Sequence, residues 1–231
     1  MIECPSCRRR HEPQLICPEC GAPLGAEVDC FKALGVARKL AIDLPALERA
    51  YHNLSRKIHP DRFASSPVPV RTASLTSTAL LTRSYRTLRD PIARGLYWLE
   101  LNGEKLAENN KQVPIELAEL VFEVQEQLAE LRAAAKRGGA NGIAREVGSR
   151  RGELQASMDA AGGELARNFD RWDAERPDDH DDRKARDDRD VPDGPAKRAL
   201  TLELKQTLSK IAYLRTLIRD VDRELESLQA T

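Results

Sequence analysis

Apolar residues recur every three or four positions through most of this chain, a period that predicts helices rather than strands. The sharpest stripe is Leu44, Leu47, Tyr51, Leu54 and Ile58, with Asp43 placed to cap the helix and Pro45 in its first turn. A further helix is predicted from about Val70 to Leu88. Asp90-Pro91 then offers a cap and a proline start for a helix carrying Ile92, Leu96 and Leu99, which Asn102-Gly103 ends. With a short piece after Asp29, these make four short helices in one small domain, bounded at 26–104.

After a polar linker, Pro114 opens a second helical region whose stripe is Leu117, Val121, Val124, Leu128 and Leu131, closed by Gly138-Gly139. A next face is drawn by Ile143, Val147, Leu154, Met158, Leu165, Phe169 and Trp172. Gly148, Gly152, Gly162 and Gly163 weaken it, each by roughly 1 kcal/mol relative to Ala. A last long helix, from about Leu200 to Leu228, has the seam Leu204, Leu208, Ile211, Leu214, Ile218, Val221, Leu225 and Leu228. Three such stripes predict an antiparallel three-helix bundle over 112–231. Residues 176–198 are nearly all charge, Pro and Gly; with no apolar face to offset their ordering entropy, they are expected to form a disordered charged loop. His180 among its aspartates belongs to that solvated loop rather than to a metal site.

Residues 1–25 have no apolar period, so their order must come from something other than a sizeable core. Here lie Cys4, Cys7, Cys17 and Cys20, two C-x-x-C pairs whose spacing lets two thiolates of one turn hold the same tetrahedral ion. The set is closed, which implies structural zinc. Pro5 and Pro18 stiffen the two turns, Gly21 follows the second where a knuckle needs positive φ, and Arg8, Arg9 and Arg10 stand where they could offset thiolate charge. A redox dithiol is the competing reading, but such a motif opens a helix after a strand and no such pattern is apparent. Cys30, beside Phe31 and Leu34, reads as a small core residue.

Composition narrows the function. Hydrophobic residues make up 41% of the 231, aromatics 4% and charged residues 32%, which suits a soluble helical protein. Thirty-seven basic residues balance thirty-seven acidic ones, so no overall charge draws the molecule to nucleic acid or to an anionic membrane. No run of eighteen apolar residues occurs, and Met1-Ile2-Glu3-Cys4-Pro5 lacks the basic flank and apolar stretch of a signal peptide. A reducing cytoplasm is the expected location.

Directly after the Leu44–Ile58 stripe comes Ile58-His59-Pro60-Asp61-Arg62-Phe63. Proline stops the helix and puts His59 and Asp61 on an exposed loop. No Ser or Cys nucleophile or third orienting group stands nearby, so catalysis is not expected. Opposite the stripe lie Arg49, His52, Asn53, Arg56 and Lys57, a compact basic surface running into the loop.

A short helix, a basic amphipathic helix, an HPD loop and an antiparallel third helix resemble the J domain of co-chaperones. The runs D-C-F-K-A-L-G-V, HPDRFA from His59 to Ala64, Y-R-T-L-R-D-P-I-A-R-G-L-Y-W-L-E-L-N-G from Tyr85 to Gly103, and E-L-V-F-E-V-Q-E-Q-L are similar to the HscB (Jac) co-chaperones of iron-sulfur cluster assembly. The likeness covers about Asp29 to Leu131 closely and the last helix loosely. It implies an all-α fold: a small N-terminal zinc knuckle (1–25), a four-helix J domain, and a C-terminal antiparallel three-helix bundle with a long charged loop. It also implies a non-enzymatic role in which His59, Pro60 and Asp61, with Arg49, Arg56 and Lys57, contact a DnaK-class heat-shock chaperone and speed its ATP hydrolysis. The bundle would bind the scaffold protein on which the cluster is built.

The residues offer their own candidate for the scaffold face. Phe122 falls off the completed stripe of its helix, with Ala118, Glu119, Glu123 and Glu126 around it, an aromatic among acids as in an interface anchor. The competing assignment is a core residue on a widened face. Tyr213 points away from Ile211, two residues being about 200° of rotation. Two other functions stay open on the sequence: a general J-domain co-chaperone with another client, and a zinc-knuckle nucleic-acid-binding protein, which zero net charge opposes.

Overall fold

In the computed structural model, residues 1–106, 117–175 and 194–229 are described. The linker before 117 with Pro114, the charged segment 176–193 with His180, and the last two residues lie outside them. The chain divides into two compact units, Met1–Trp98 and Leu99–Thr231.

The first unit opens with β1 (Ile2–Glu3) and β2 (Arg10–His11), a two-stranded antiparallel pair with Ile2 opposite His11 and Glu3 opposite Arg10. The apolar pattern does not predict these strands, because two residues are too few to carry a period. Four helices follow: α1 (Cys30–Leu34), α2 (Leu44–Ile58), α3 (Val68–Arg89) and α4 (Pro91–Leu101), with a 3₁₀ turn at Pro60–Phe63. Asp29, Asp43 and Asp90 accept hydrogen bonds from the backbone N–H groups of Lys32, Ala46 and Ala93, capping α1, α2 and α4. Each such cap contributes about 1 kcal/mol.

Helices α1 and α2 pack on α3. Phe31 meets the Trp98 ring edge-on, centroids 5.9 Å apart, and Tyr51 stacks on Tyr85 at 4.3 Å. Leu34, Leu40, Leu47, Ile58, Leu81 and Leu88 complete the core. Cys30 is buried beside Phe31, its backbone N–H donating to the Tyr97 hydroxyl, and burial pushes that phenol's pKa up. The predicted stripes are shifted at two points. Leu44 is exposed, so only Leu47 and Ile58 of its set are fully buried, and Leu96 is exposed while Trp98 takes its place inside.

Helix α3 turns a polar face inward. Ser74, Ser77 and Ser84 are completely buried, because small side chains let neighbouring backbone come close. The backbone N–H of Gly25 donates to Ser77 Oγ at 3.1 Å. A Cβ on Gly25, whose φ is +63°, would stand 3.1 Å from the Ala73 Cα, so glycine is required where the chain leaves the cysteine module. At the other end of α3, the buried Arg94 donates to the carbonyl of Leu88 at 2.6 Å, satisfying an acceptor that the helix end leaves open.

The second unit is built on α5 (Ala118–Ala135), α6 (Asn141–Ala174) and α7 (Pro195–Gln229). Helix α7 begins at Pro195, so 195–198 are helical rather than loop. Val124, Leu128, Leu131, Val147, Leu154, Leu165, Phe169, Trp172, Leu204, Leu208, Ile211, Leu214 and Val221 fill the core, joined by Leu217, which the predicted seam omits. The contacts Arg151 to Asp222, Asn168 to Thr207 and Arg171 to Glu203 run up one helix and down the other, so α6 and α7 are antiparallel. Arg150 reaches Glu123 and Gln127 on α5, and Arg132 of α5 reaches Glu224 of α7. The four suspect glycines of α6 are all exposed, and the helix runs unbroken for 34 residues.

Candidate functional site

Pro60 ends α2, which leaves the last carbonyls of the helix without N–H partners, and two α3 hydroxyls take up that of Ile58: Ser74 Oγ donates to the Ile58 oxygen at 2.6 Å and Thr78 Oγ1 at 3.4 Å. With the Ile58 side chain fully buried, the chain is pinned just before His59. Beyond His59 the backbone winds into the 3₁₀ turn rather than an irregular loop. His59 Nδ1 accepts the Asp61 backbone N–H at 3.3 Å and lies 3.4 Å from the Asp61 carboxylate, and Asp61 remains 89% exposed. The pair is therefore presented outward on a backbone held from beneath.

Arg49, His52, Asn53, Arg56 and Lys57 are all exposed on α2. Arg56 donates to Asn53 Oδ1, and Arg62 of the turn reaches back to the Arg56 carbonyl, joining the basic face to the turn. Sequence reasoning missed the other flank. Pro60 and α3 frame two shallow hollows, one lined by Leu75, Thr78, Arg83 and Arg86 and the other by Val68, Arg71 and Leu75, with Val68 and Leu75 more than half exposed. The signal was present in Val68 and Leu75, two apolar residues off the buried face of α3.

In the N-terminal module the sulfurs of Cys4, Cys7, Cys17 and Cys20 all lie within 4.8 Å of one another. Four thiols at that separation, partly buried on two turns, fit a closed tetrahedral metal site. The two turns repeat one geometry. The Arg8 N–H bonds to the Cys4 carbonyl and the Gly21 N–H to the Cys17 carbonyl, each at 3.0 Å, with φ +63° at Arg8 and +73° at Gly21. Burial and the other sulfurs outweigh the Arg9 backbone N–H and push the Cys7 thiol up to about 12. The Ala22 backbone N–H draws Cys20 down to about 7. Cys4 and Cys17 also pack with Ala22, Leu24 and Ala26 in a cluster too small to be a core of its own. Of the arginines expected beside the sulfurs, Arg8 pairs with Glu3 and Arg9 with Glu19. His11 Nε2 lies 3.3 Å from Cys17 Sγ.

On α5, Ala118, Glu119, Phe122 and Glu126 are exposed, Phe122 at 70%, so its assignment to the core is excluded. Glu123 is half-buried and engaged by Arg150 at 3.2 Å, which takes one carboxylate out of the acidic ring. The short link from Ala135 to Asn141, with Arg150 reaching back to Glu123 and Gln127, makes α5 antiparallel to α6 and so parallel to α7; since Arg132 meets Glu224, Phe122 and the half-buried Tyr213 stand at the same level of the bundle. Among the described residues, no helix is long and apolar enough to cross a membrane.

No family model matches the chain. Individual proteins do. It is 30% identical over 134 residues to the co-chaperone protein HscB homolog of Chromobacterium violaceum, a match spanning 58% of this chain and 75% of that protein. It is 36% identical over 109 residues to the homolog of Azoarcus, spanning 47% of this chain and 62% of that one. With the human iron-sulfur cluster co-chaperone protein HscB it shares 30% identity over 131 residues, 54% of each chain. Among solved structures, human HscB matches with a TM-score of 0.66 at 21% identity, over 96% of this chain and 97% of that one. HscB from Vibrio cholerae matches with a TM-score of 0.58 at 19% identity, over 87% and 99%. These last two likenesses speak to the fold, a helical J domain followed by a helical bundle.

Proposed function

The chain belongs to the HscB family of co-chaperones, and from that premise we propose that it works in iron-sulfur cluster assembly as an adaptor with two binding surfaces and no catalysis of its own. His59, Pro60 and Asp61, with Arg49, Arg56 and Lys57, contact a DnaK-class (heat shock protein 70 family) chaperone and stimulate its ATPase. Ala118, Glu119, Phe122, Glu123, Glu126 and Tyr213 receive the cluster scaffold protein, which is thereby delivered to the chaperone. Domain limits of 1–25, 26–104 and 112–231, and a cytoplasmic location, go with this reading.

The observation that carries it is the turn itself. Asp61 is nearly fully exposed, yet the backbone leading into it is tied to two α3 hydroxyls. An outward charge on a pinned backbone, beside a basic helix face and exposed Val68 and Leu75, suits recognition of an acidic and apolar partner surface. Cys4, Cys7, Cys17 and Cys20 would hold one structural zinc, which supplies the cross-link that the small apolar cluster of this module lacks.

Stimulation of a cognate chaperone's ATPase is the test. His59→Gln or Asp61→Asn should abolish it while helical circular dichroism and melting temperature stay at wild-type values, because both side chains are exposed. Stimulation that survives both changes refutes the reading.

A further inference from the structure

Within the first turn of the cysteine cluster, the Cys7 backbone N–H donates to Cys4 Sγ at 3.5 Å. Cys17 stands in the place of Cys4 within the second turn, and a side chain lies against its sulfur, His11 Nε2 at 3.3 Å. Strand β2 presents that ring: His11 is opposite Ile2 in the two-stranded pair, Ile2 packs on the cysteine cluster, and the ring is half-buried.

A divalent ion with four thiolates carries a net charge of −2, and Arg8 and Arg9 are paired with Glu3 and Glu19. A metal-bound thiolate has no proton to give. The contact is therefore attractive only when Nε2 carries the hydrogen and donates it to the sulfur.

We infer that His11 is a positioning residue of the metal centre, its Nε2–H donating to the Cys17 thiolate so that the sulfur carries less charge and the ion is retained more tightly. The role rests on the zinc reading proposed for this module. It does not make His11 a ligand, since the four sulfurs already complete a tetrahedral set. Loss of an outer partner of this kind costs metal sites roughly 10- to 100-fold in affinity.

The full-length protein, loaded with zinc or with cobalt(II), supports a direct test by competition with a chromophoric chelator and by absorption spectroscopy. His11→Leu should still bind one metal per chain, with the ligand-field bands of a four-sulfur cobalt site unchanged. Its metal affinity should fall by about 10-fold or more. Its sulfur-to-cobalt charge-transfer band should move to lower energy, because a sulfur that no longer accepts a hydrogen bond holds its electrons less tightly. His11→Gln, which keeps an N–H donor at similar reach, should recover most of both. Wild-type affinity and an unshifted charge-transfer band in His11→Leu would overturn the role of His11 while leaving the zinc reading intact. Changed ligand-field bands would overturn it by making His11 a ligand. Full metal content in Cys17→Ser would remove the zinc reading itself, and this role with it.

Discussion

Ser74 shows how a single hydroxyl sets up a surface it never reaches. It is fully buried on α3, but its donation to the Ile58 carbonyl fixes the peptide from which His59 and Asp61 project. Ser74→Ala leaves that oxygen with only the longer contact from Thr78 and should cost about 1 to 2 kcal/mol of folding stability by chemical denaturation. It should also weaken chaperone stimulation without touching either turn residue; unchanged stability would mean the hydroxyl is dispensable. Residues of this kind are where sequence reasoning falls short. Gly21 is legible as a positive-φ position because glycine advertises it, whereas Arg8 holds the equivalent place in the first turn and a charged side chain conceals it. Arg8 and Arg9 were legible as charges, but their choice of Glu3 and Glu19 depends on contacts that the local sequence does not state.

At the scale of the element, what a helix buries matters more than what it contains. Helix α6 carries four glycines and still runs without a break, because all four face solvent while Val147, Leu154, Leu165, Phe169 and Trp172 hold the other side. Their propensity penalty is therefore uncompensated, and it is removable. A Cβ at Gly148, Gly152 or Gly162 meets nothing within 4 Å. Each change to Ala should stabilise the bundle by roughly 0.5 to 1 kcal/mol in thermal or denaturant unfolding, and the three should add. A destabilising change at any of them would contradict the outward placement of that face. The long stripes of α5, α6 and α7 were legible because burial follows period over many turns. The inward face of α3 was not, since Ser74, Ser77 and Ser84 look polar in a sequence and are chosen for their size. The two-residue strands were beyond any periodic signal.

For the molecule as a whole, the proposed adaptor draws on three features: a module with four clustered cysteines, a basic helix with a pinned turn, and a bundle with an exposed aromatic. Phe122, at 70% exposure, should lose roughly 1 to 3 kcal/mol of scaffold affinity on change to Ala, with no loss of melting temperature. A drop in stability without a change in affinity would leave the scaffold surface unlocated. An adaptor also makes a stronger demand, that its two surfaces act together. The most direct measurement is the ATPase rate of the cognate chaperone with this protein, titrated with the cluster scaffold. The predicted result is synergy, a rate well above the sum of the separate stimulations, lost in Asp61→Asn and shifted to higher scaffold concentration in Phe122→Ala. Purely additive rates, with both variants behaving as wild type, would contradict the adaptor role.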